Sequence, residues 1–162
     1  MTGLSGEVEV IELPVDPSTI TRITGWQIEH YAAEFPSFDH ADWSAFYAPW
    51  VERDEVRLPI MLAATSNGEI VGAVAIVDRD DLEDVDEYSP WIAALIVDPE
   101  LRGHGTGSLL LSAALERCRR EGIDRVYLWT HDQADWYRRL GWTEERRCDF
   151  RSVDITIFSR CL

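Results

Sequence analysis

The sequence predicts one mixed α/β domain spanning residues 1–162, and three observations carry that expectation. The apolar patterns run strand, two helices, three strands, helix, strand, helix, two strands, with no linker, repeat or low-complexity segment among them. A chain of 162 residues falls within the size of one domain. Its 46% of hydrophobic residues, with 10% aromatics, is enough to bury a core.

The elements follow in order. Glu7 to Leu13 alternates Val8 and Val10, a strand that Pro14 and Asp16-Pro17 stop. Ser18 or Thr19 can cap a helix running to about Glu34, with Ile20, Ile23, Ile28 and Tyr31 near one face, and Pro36 closes it. Asp39 opens a second helix through Val51, whose Trp43, Phe46, Tyr47 and Trp50 recur at helical spacing and share a face. Ile60 to Thr65 and Ile70 to Val77 flank Asn67-Gly68, a pair that accepts positive φ and so predicts an antiparallel hairpin. Asp78 to Glu87 is mostly carboxylates and is expected to be a solvated loop. Trp91 to Val97 is continuously apolar, the pattern of a strand buried on both faces, and Asp98-Pro99 ends it.

From Gly105 the pattern turns helical, with Leu110, Leu111, Ala114, Leu115 and Cys118 on one face and Arg117, Arg119 and Arg120 on the other, until Gly122. Val126 to Trp129 reads as a short buried strand. Asp132 can cap a helix holding Trp136, Tyr137 and Leu140, which Gly141 stops. Trp142 to Cys148 and Val153 to Phe158 complete the domain as a hairpin.

Charge excludes some functions. Thirty acidic residues face 15 basic ones, all Arg, for a net charge of -15, which disfavours a nucleic-acid partner. All of the excess lies in residues 1–87, with 19 Asp and Glu against 4 Arg, while residues 88–162 hold 11 of each. An acidic, Lys-free surface can reflect adaptation to high salt or a coding bias. The asymmetry also suits an anionic cofactor on the neutral half and a cationic partner on the acidic half. Neither a signal peptide nor a membrane span is visible, so a soluble, cytoplasmic protein with no membrane partner is expected. Cys118, Cys148 and Cys161 are widely spaced without a metal-ligand pattern, and they read as free thiols with no metal required.

The segment Arg102-Gly103-His104-Gly105-Thr106-Gly107 lies between a buried strand and a helix start. A helix amino end offers unpaired N–H groups and partial positive charge, and glycines let a phosphate approach the backbone, so a pyrophosphate is the natural occupant. The dinucleotide pattern Gly-x-Gly-x-x-Gly fails here, because Ser108 or Leu110 stands where its last glycine belongs. The Walker pattern fails for want of a Lys.

Arg-x-x-Gly-x-Gly after Val97-Asp98-Pro99-Glu100-Leu101 resembles the signature of the GCN5-related N-acetyltransferase (GNAT) superfamily. Ala134-Asp135-Trp136-Tyr137-Arg138-Arg139-Leu140-Gly141-Trp142 is similar to that family's Ala-x-x-Phe-Tyr-x-x-x-Gly-Phe segment, with Trp136 and Trp142 in place of Phe. The resemblance implies a central, mostly antiparallel twisted sheet with splayed fourth and fifth strands, flanked by about four helices. It implies acetyl-CoA as cosubstrate, with Arg102, Gly103, His104, Gly105, Thr106 and Gly107 around its pyrophosphate and main-chain groups of Leu95, Ile96 and Val97 along the pantetheine. It also implies Tyr137 as general acid toward the leaving thiolate, since a phenol stays protonated at neutral pH.

The base is not given by the resemblance, because Trp91 to Val97 carries no carboxylate where some relatives have a Glu. Glu87 or Asp86 acting through water, and His131 at the end of the following strand, are the candidates. In the family the first two helices and the final hairpin form the acceptor wall. Here that region supplies Asp39, Asp42, Glu52, Asp54 and Glu55 beside Trp43, Tyr47 and Trp50, able to hold a cation by charge and aromatic faces. The same aromatics equally suit the core face of an amphipathic helix. Of Arg117, Arg119, Arg120, Arg138 and Arg139, one could approach the adenosine 3′-phosphate, and the rest suit solvated helix faces. The expected function is transfer of acetyl to a small, cationic primary amine. The alternatives are a peptide amine as acceptor and an acyl-CoA sensor without turnover, and a homodimer is compatible with each.

Overall fold

The computed structural model describes residues 6–52 and 58–162, so Asp54 and Glu55 lie outside the described residues. Seven strands form one sheet in the order β1-β2-β3-β4-β5-β7-β6. These are β1 (Val8–Glu12), β2 (Ile60–Ser66), β3 (Glu69–Val77), β4 (Trp91–Val97), β5 (Arg125–Thr130), β6 (Thr143–Phe150) and β7 (Val153–Cys161). Every neighbouring pair is antiparallel except β4 with β5, which run parallel. The helices are α1 (Pro17–Tyr31), α2 (His40–Val51), α3 (Thr106–Arg120) and α4 (Ala134–Arg139).

Alternation along the strands divides the core between the two faces of the sheet. Ile60, Leu62 and Ala64 of β2 with Val74 and Ile76 of β3 point to the face covered by Leu110, Leu111, Ala114, Leu115 and Cys118 of α3. Met61 and Ala63 of β2 with Ala73, Ala75 and Val77 of β3 point to the other, against Ile23 of α1 and Trp43, Tyr47 and Trp50 of α2. Trp43, Tyr47 and Trp50 of the aromatic stripe of α2 are therefore buried in the core, with Phe46 partly buried beside them. The hairpin turn between β2 and β3 has Asn67 at φ 52° and Gly68 at φ 80°, as their residue types allow.

Three local expectations need correction. Asp16, not Ser18 or Thr19, caps α1: its carboxylate accepts from the Thr19 N–H at 2.9 Å, Pro17 takes the first helical position, and the helix stops at Tyr31. Asp132 does not cap α4; the Thr130 hydroxyl accepts from the Gln133 N–H at 2.9 Å instead. The segment Asp78 to Glu87 is not wholly solvated, because Val85 is buried in the core and Asp80 turns inward.

Candidate active site

The site begins with an irregularity in β4. Ala73 pairs with Ile96 and Ala75 with Ala93, so Ala94 and Leu95 together oppose Val74. Ala94 sits at φ 53°, a left-handed conformation that an alanine adopts at some cost. Such a bulge bends its strand, and β4 shares a single bridge pairing with β5, Trp91 with Tyr127. Beyond it the two strands part, and the edge of β4 through Leu95, Ile96 and Val97 pairs with no strand among the described residues. The bulge is held from behind. Gln27 of α1, fully buried, donates from Nε2 to the Ala94 carbonyl at 3.3 Å, and Tyr47 of α2 donates its hydroxyl to Gln27 Oε1 at 3.0 Å.

At the carboxyl end of β4 the chain enters α3. Gly103 at φ 81° and Gly105 at φ 84° take left-handed backbone, which is where glycine costs least. Gly105 is the N-cap, and no side chain caps the helix. The first intrahelical bond runs from the Leu109 N–H to the Gly105 carbonyl at 3.0 Å, so the preceding amides have no helical acceptor. The Thr106 hydroxyl is buried without a partner among the described residues. Arg102 and His104 are exposed beside it; Arg102 Nε donates to the Val97 carbonyl at 3.3 Å, and a His104 ring nitrogen meets the Leu101 carbonyl at 3.1 Å. Spare N–H groups, an orphaned hydroxyl and a helix amino end are donors that a diphosphate, which only accepts, can satisfy. The residues present therefore fit that group.

A cleft with about 980 Å³ of empty space, counted to its open mouth, lies where β4 and β5 part. Ala93, Ala94 and Leu95 of β4, Leu128, Trp129 and Thr130 of β5, and Tyr137 of α4 form its floor, and α1 and α2 contribute His30, Tyr31, Trp43 and Phe46. Among the described residues its charged lining is four carboxylates, Asp42, Asp80, Asp81 and Asp132, together with His30 and His131, and no Arg. Burial holds the Tyr137 phenol well above its ordinary range, so it stays protonated. Desolvation pulls His30 down from its ordinary value; Asp132 opposes this, and the Arg102 guanidinium adds to it.

Asp80 is the residue that sequence reasoning missed. Burial pushes its carboxyl up to about 6, against the opposing hydrogen bonds from the Asp81 backbone and the Trp129 side chain. A lone carboxylate inside a run of carboxylates gives no sign that it alone turns inward. The nearest signal is Trp129, an indole whose N–H needs an acceptor once it enters the core.

The structure gathers some of the expected residues and disperses others. Tyr137, His131 and Trp43 line the cleft, and Leu95 does so from β4. His131 has Glu34 at 3.7 Å from Nε2 and Asp132 at 3.7 Å from Nδ1. The Trp43 indole N–H is buried with no partner among the described residues. Asp39 does not line the cleft: it is exposed and its carboxylate accepts from the Ala41 and Asp42 N–H groups as the cap of α2. Tyr47 lies 2% exposed in the core, with its hydroxyl committed to Gln27. Glu87 is exposed and does not line the cleft. Arg117, Arg119, Arg120 and Arg138 pair with carboxylates at the surface.

A sheet opened between two parallel strands, with a helix amino end at the mouth, is the arrangement of an acetyltransferase fold, and solved structures of that class overlay on nearly the whole chain. yncA of Salmonella typhimurium, solved with its cofactor acetyl-CoA, superposes with TM-score 0.71 at 21% identity, over 96% of this chain and 94% of that one. An aminoglycoside 6′-N-acetyltransferase complexed with coenzyme A gives TM-score 0.72 at 12% identity, over 94% and 96%. The model of the acetyltransferase (GNAT) family matches residues 22–142, and the chain belongs to that family. An uncharacterised N-acetyltransferase of Methanocaldococcus jannaschii is 29% identical over 129 residues, 73% of this chain and 55% of the relative. The chain thus spans about half the length of that curated relative. Among the described residues, no His, Cys, Asp and Glu cluster could hold a metal, and no helix is long and apolar enough to cross a membrane.

Proposed function

We propose that the protein transfers an acetyl group from acetyl-CoA to a small, cationic primary amine by direct attack, with both substrates bound together. Acetyl-CoA supplies the activated acyl group. The Gly103 to Gly107 amides and the Thr106 hydroxyl hold its diphosphate, and the unpaired edge of β4 holds the pantetheine. Main-chain N–H groups at the Ala94 bulge are positioned to steady negative charge on the thioester oxygen. Tyr137, kept neutral by burial, gives its proton to the departing sulfur.

One observation carries the acceptor side of this reading: among the described residues, the cleft facing the thioester is lined by four carboxylates and no Arg. Such a lining favours an ammonium and repels an acceptor whose carboxylate would lie beside the attacking nitrogen. The test follows free thiol release with acetyl-CoA and a panel of diamines and polyamines, aminoglycosides, amino acids and short peptides. Turnover is expected with carboxylate-free cationic amines, and Tyr137→Phe should lower kcat about 10- to 100-fold while leaving acetyl-CoA binding intact. Binding of acetyl-CoA without release for any acceptor would make the protein a sensor instead, and preference for peptides would move the acceptor class.

A further inference from the structure

We propose that Asp80 is the group that takes the proton from the acceptor ammonium, with Trp129 fixing its carboxylate at the cleft. This rests on the reading above that an amine is acetylated in the cleft. The family signature offered no base here, since β4 carries only apolar side chains and Glu87 lies outside the cleft.

Elimination among the cleft carboxylates points to one residue. Asp42 is spent on the α2 cap, where its carboxylate accepts from the Asp39 N–H at 3.0 Å. Asp81 is exposed, and the Asp132 side chain is 39% exposed and lies 3.7 Å from His131. Asp80 is the one of the four that is half-buried rather than exposed, and it faces the same space as Tyr137 and the Ala94 bulge. Its partner Trp129 comes from β5, so the group is fixed from across the opening between the strands rather than by its own loop. The ionisable groups that share the cleft with it are Asp81 on its own loop, His30 and Tyr31 of α1, Asp42 of α2, His131 and Asp132 beyond β5, and Tyr137 of α4. Asp78, Arg79 and Asp86 flank it on the side away from the cleft. Loss of water also makes the carboxylate a better proton acceptor than an exposed one, whose ordinary value lies far below that of an ammonium.

The step balances. Asp80 accepts one proton from R–NH3+, and the freed nitrogen pair forms the C–N bond to the thioester carbon. As the C–S bond breaks, Tyr137 protonates the sulfur and is restored by the second proton leaving nitrogen. The proton on Asp80 passes to water, so one proton is released for each amide and thiol formed.

The experiment measures kcat and each KM between about pH 5.5 and 10 for the wild type, Asp80→Asn, Asp80→Glu and His30→Gln, using the best amine of the panel. Asp80→Asn should lower kcat about 100-fold or more near pH 7 and abolish the acidic limb of the profile, with the KM for acetyl-CoA unchanged. Its deficit should narrow as pH nears the amine's own pKa, and Asp80→Glu should recover part of the rate. Retention of the raised melting temperature with acetyl-CoA shows that a variant is folded, and for one that is not, the Asp80→Glu profile decides. An unchanged kcat and acidic limb with only a raised acceptor KM would reduce Asp80 to a charge clamp and overturn the proposal. So would loss of the acidic limb in His30→Gln alone. No turnover by the wild type across the panel would instead defeat amine transfer itself, and this assignment with it.

Discussion

At the scale of single residues, chemistry here depends on which polar groups lose water. Tyr137 was legible because its neighbours form a recognisable segment and a helix puts it on the buried face. Asp80 was not, because nothing in Asp78 to Glu87 distinguishes one carboxylate from the next until β5 packs Trp129 against it. Asp39 and Tyr47 went the other way: residue types suited to an acceptor wall are committed to a helix cap and to Gln27. A carboxylate that loses water on folding has a stability signature of its own. In the unfolded chain Asp80 ionises near 3.8, in the folded protein near 6, so the native state holds the extra proton between these values and stability falls as pH rises through that window. The penalty is fully present above about pH 6. Asp80→Asn should therefore raise stability at pH 7 by on the order of 1–3 kcal/mol, a few degrees in Tm, and change little below about pH 4. Thermal melts at the two pH values check this, and a lower Tm at pH 7 would contradict the burial argument.

At the scale of elements, periodicity and turn chemistry predicted most of the strands and helices, while the site depends on departures from regularity. The Asn67-Gly68 hairpin and the α2 cap at Asp39 follow from local preference alone. The Ala94 bulge does not, because an alanine at positive φ is imposed by neighbours: Gln27 behind it and the register of β3 beside it. For the same reason β4 read as buried on both faces, whereas Ala93, Ala94 and Leu95 are half-open to the cleft. Gly72 shows how tightly β3, β4 and α3 meet next to this bulge. A Cβ there would lie 2.8 Å from the Ile96 carbonyl oxygen and 2.9 Å from a Leu110 methyl carbon. At Gly107 the nearest atoms are Val97 Cγ2 at 3.8 Å and Trp136 at 4.0 Å, an ordinary contact. Gly72→Ala should therefore cost about 1–3 kcal/mol in denaturant unfolding, while Gly107→Ala should stay within about 0.5–1 kcal/mol of the wild type. Equal costs at the two positions would mean that the packing of α3 on the opened sheet is not as described.

At the scale of the whole molecule, the order of the sheet turns a one-dimensional charge asymmetry into a two-sided site. The neutral carboxyl-terminal half supplies α3, β5 and α4, and with them the glycine loop and Tyr137; the acidic amino-terminal half supplies α1, α2 and the loop bearing Asp80. The glycine loop was legible as a candidate phosphate site because glycines at a helix start leave a strict pattern in sequence. The acceptor side was not, because it is assembled from three separate segments whose side chains have alternative uses in the core. Acetyl-CoA is expected to enter where β4 and β5 part and to present its thioester to this cleft. A crystal structure with acetyl-CoA, or with an inert thioether analogue, tests it most directly. The diphosphate is expected on the amides of Gly103 to Gly107 with the Thr106 hydroxyl partnered, the pantetheine along Leu95 to Val97, and the acyl carbonyl at the Ala94 bulge between Tyr137 and Asp80. A cofactor bound elsewhere, or one whose acyl group points away from the four-carboxylate cleft, would contradict it.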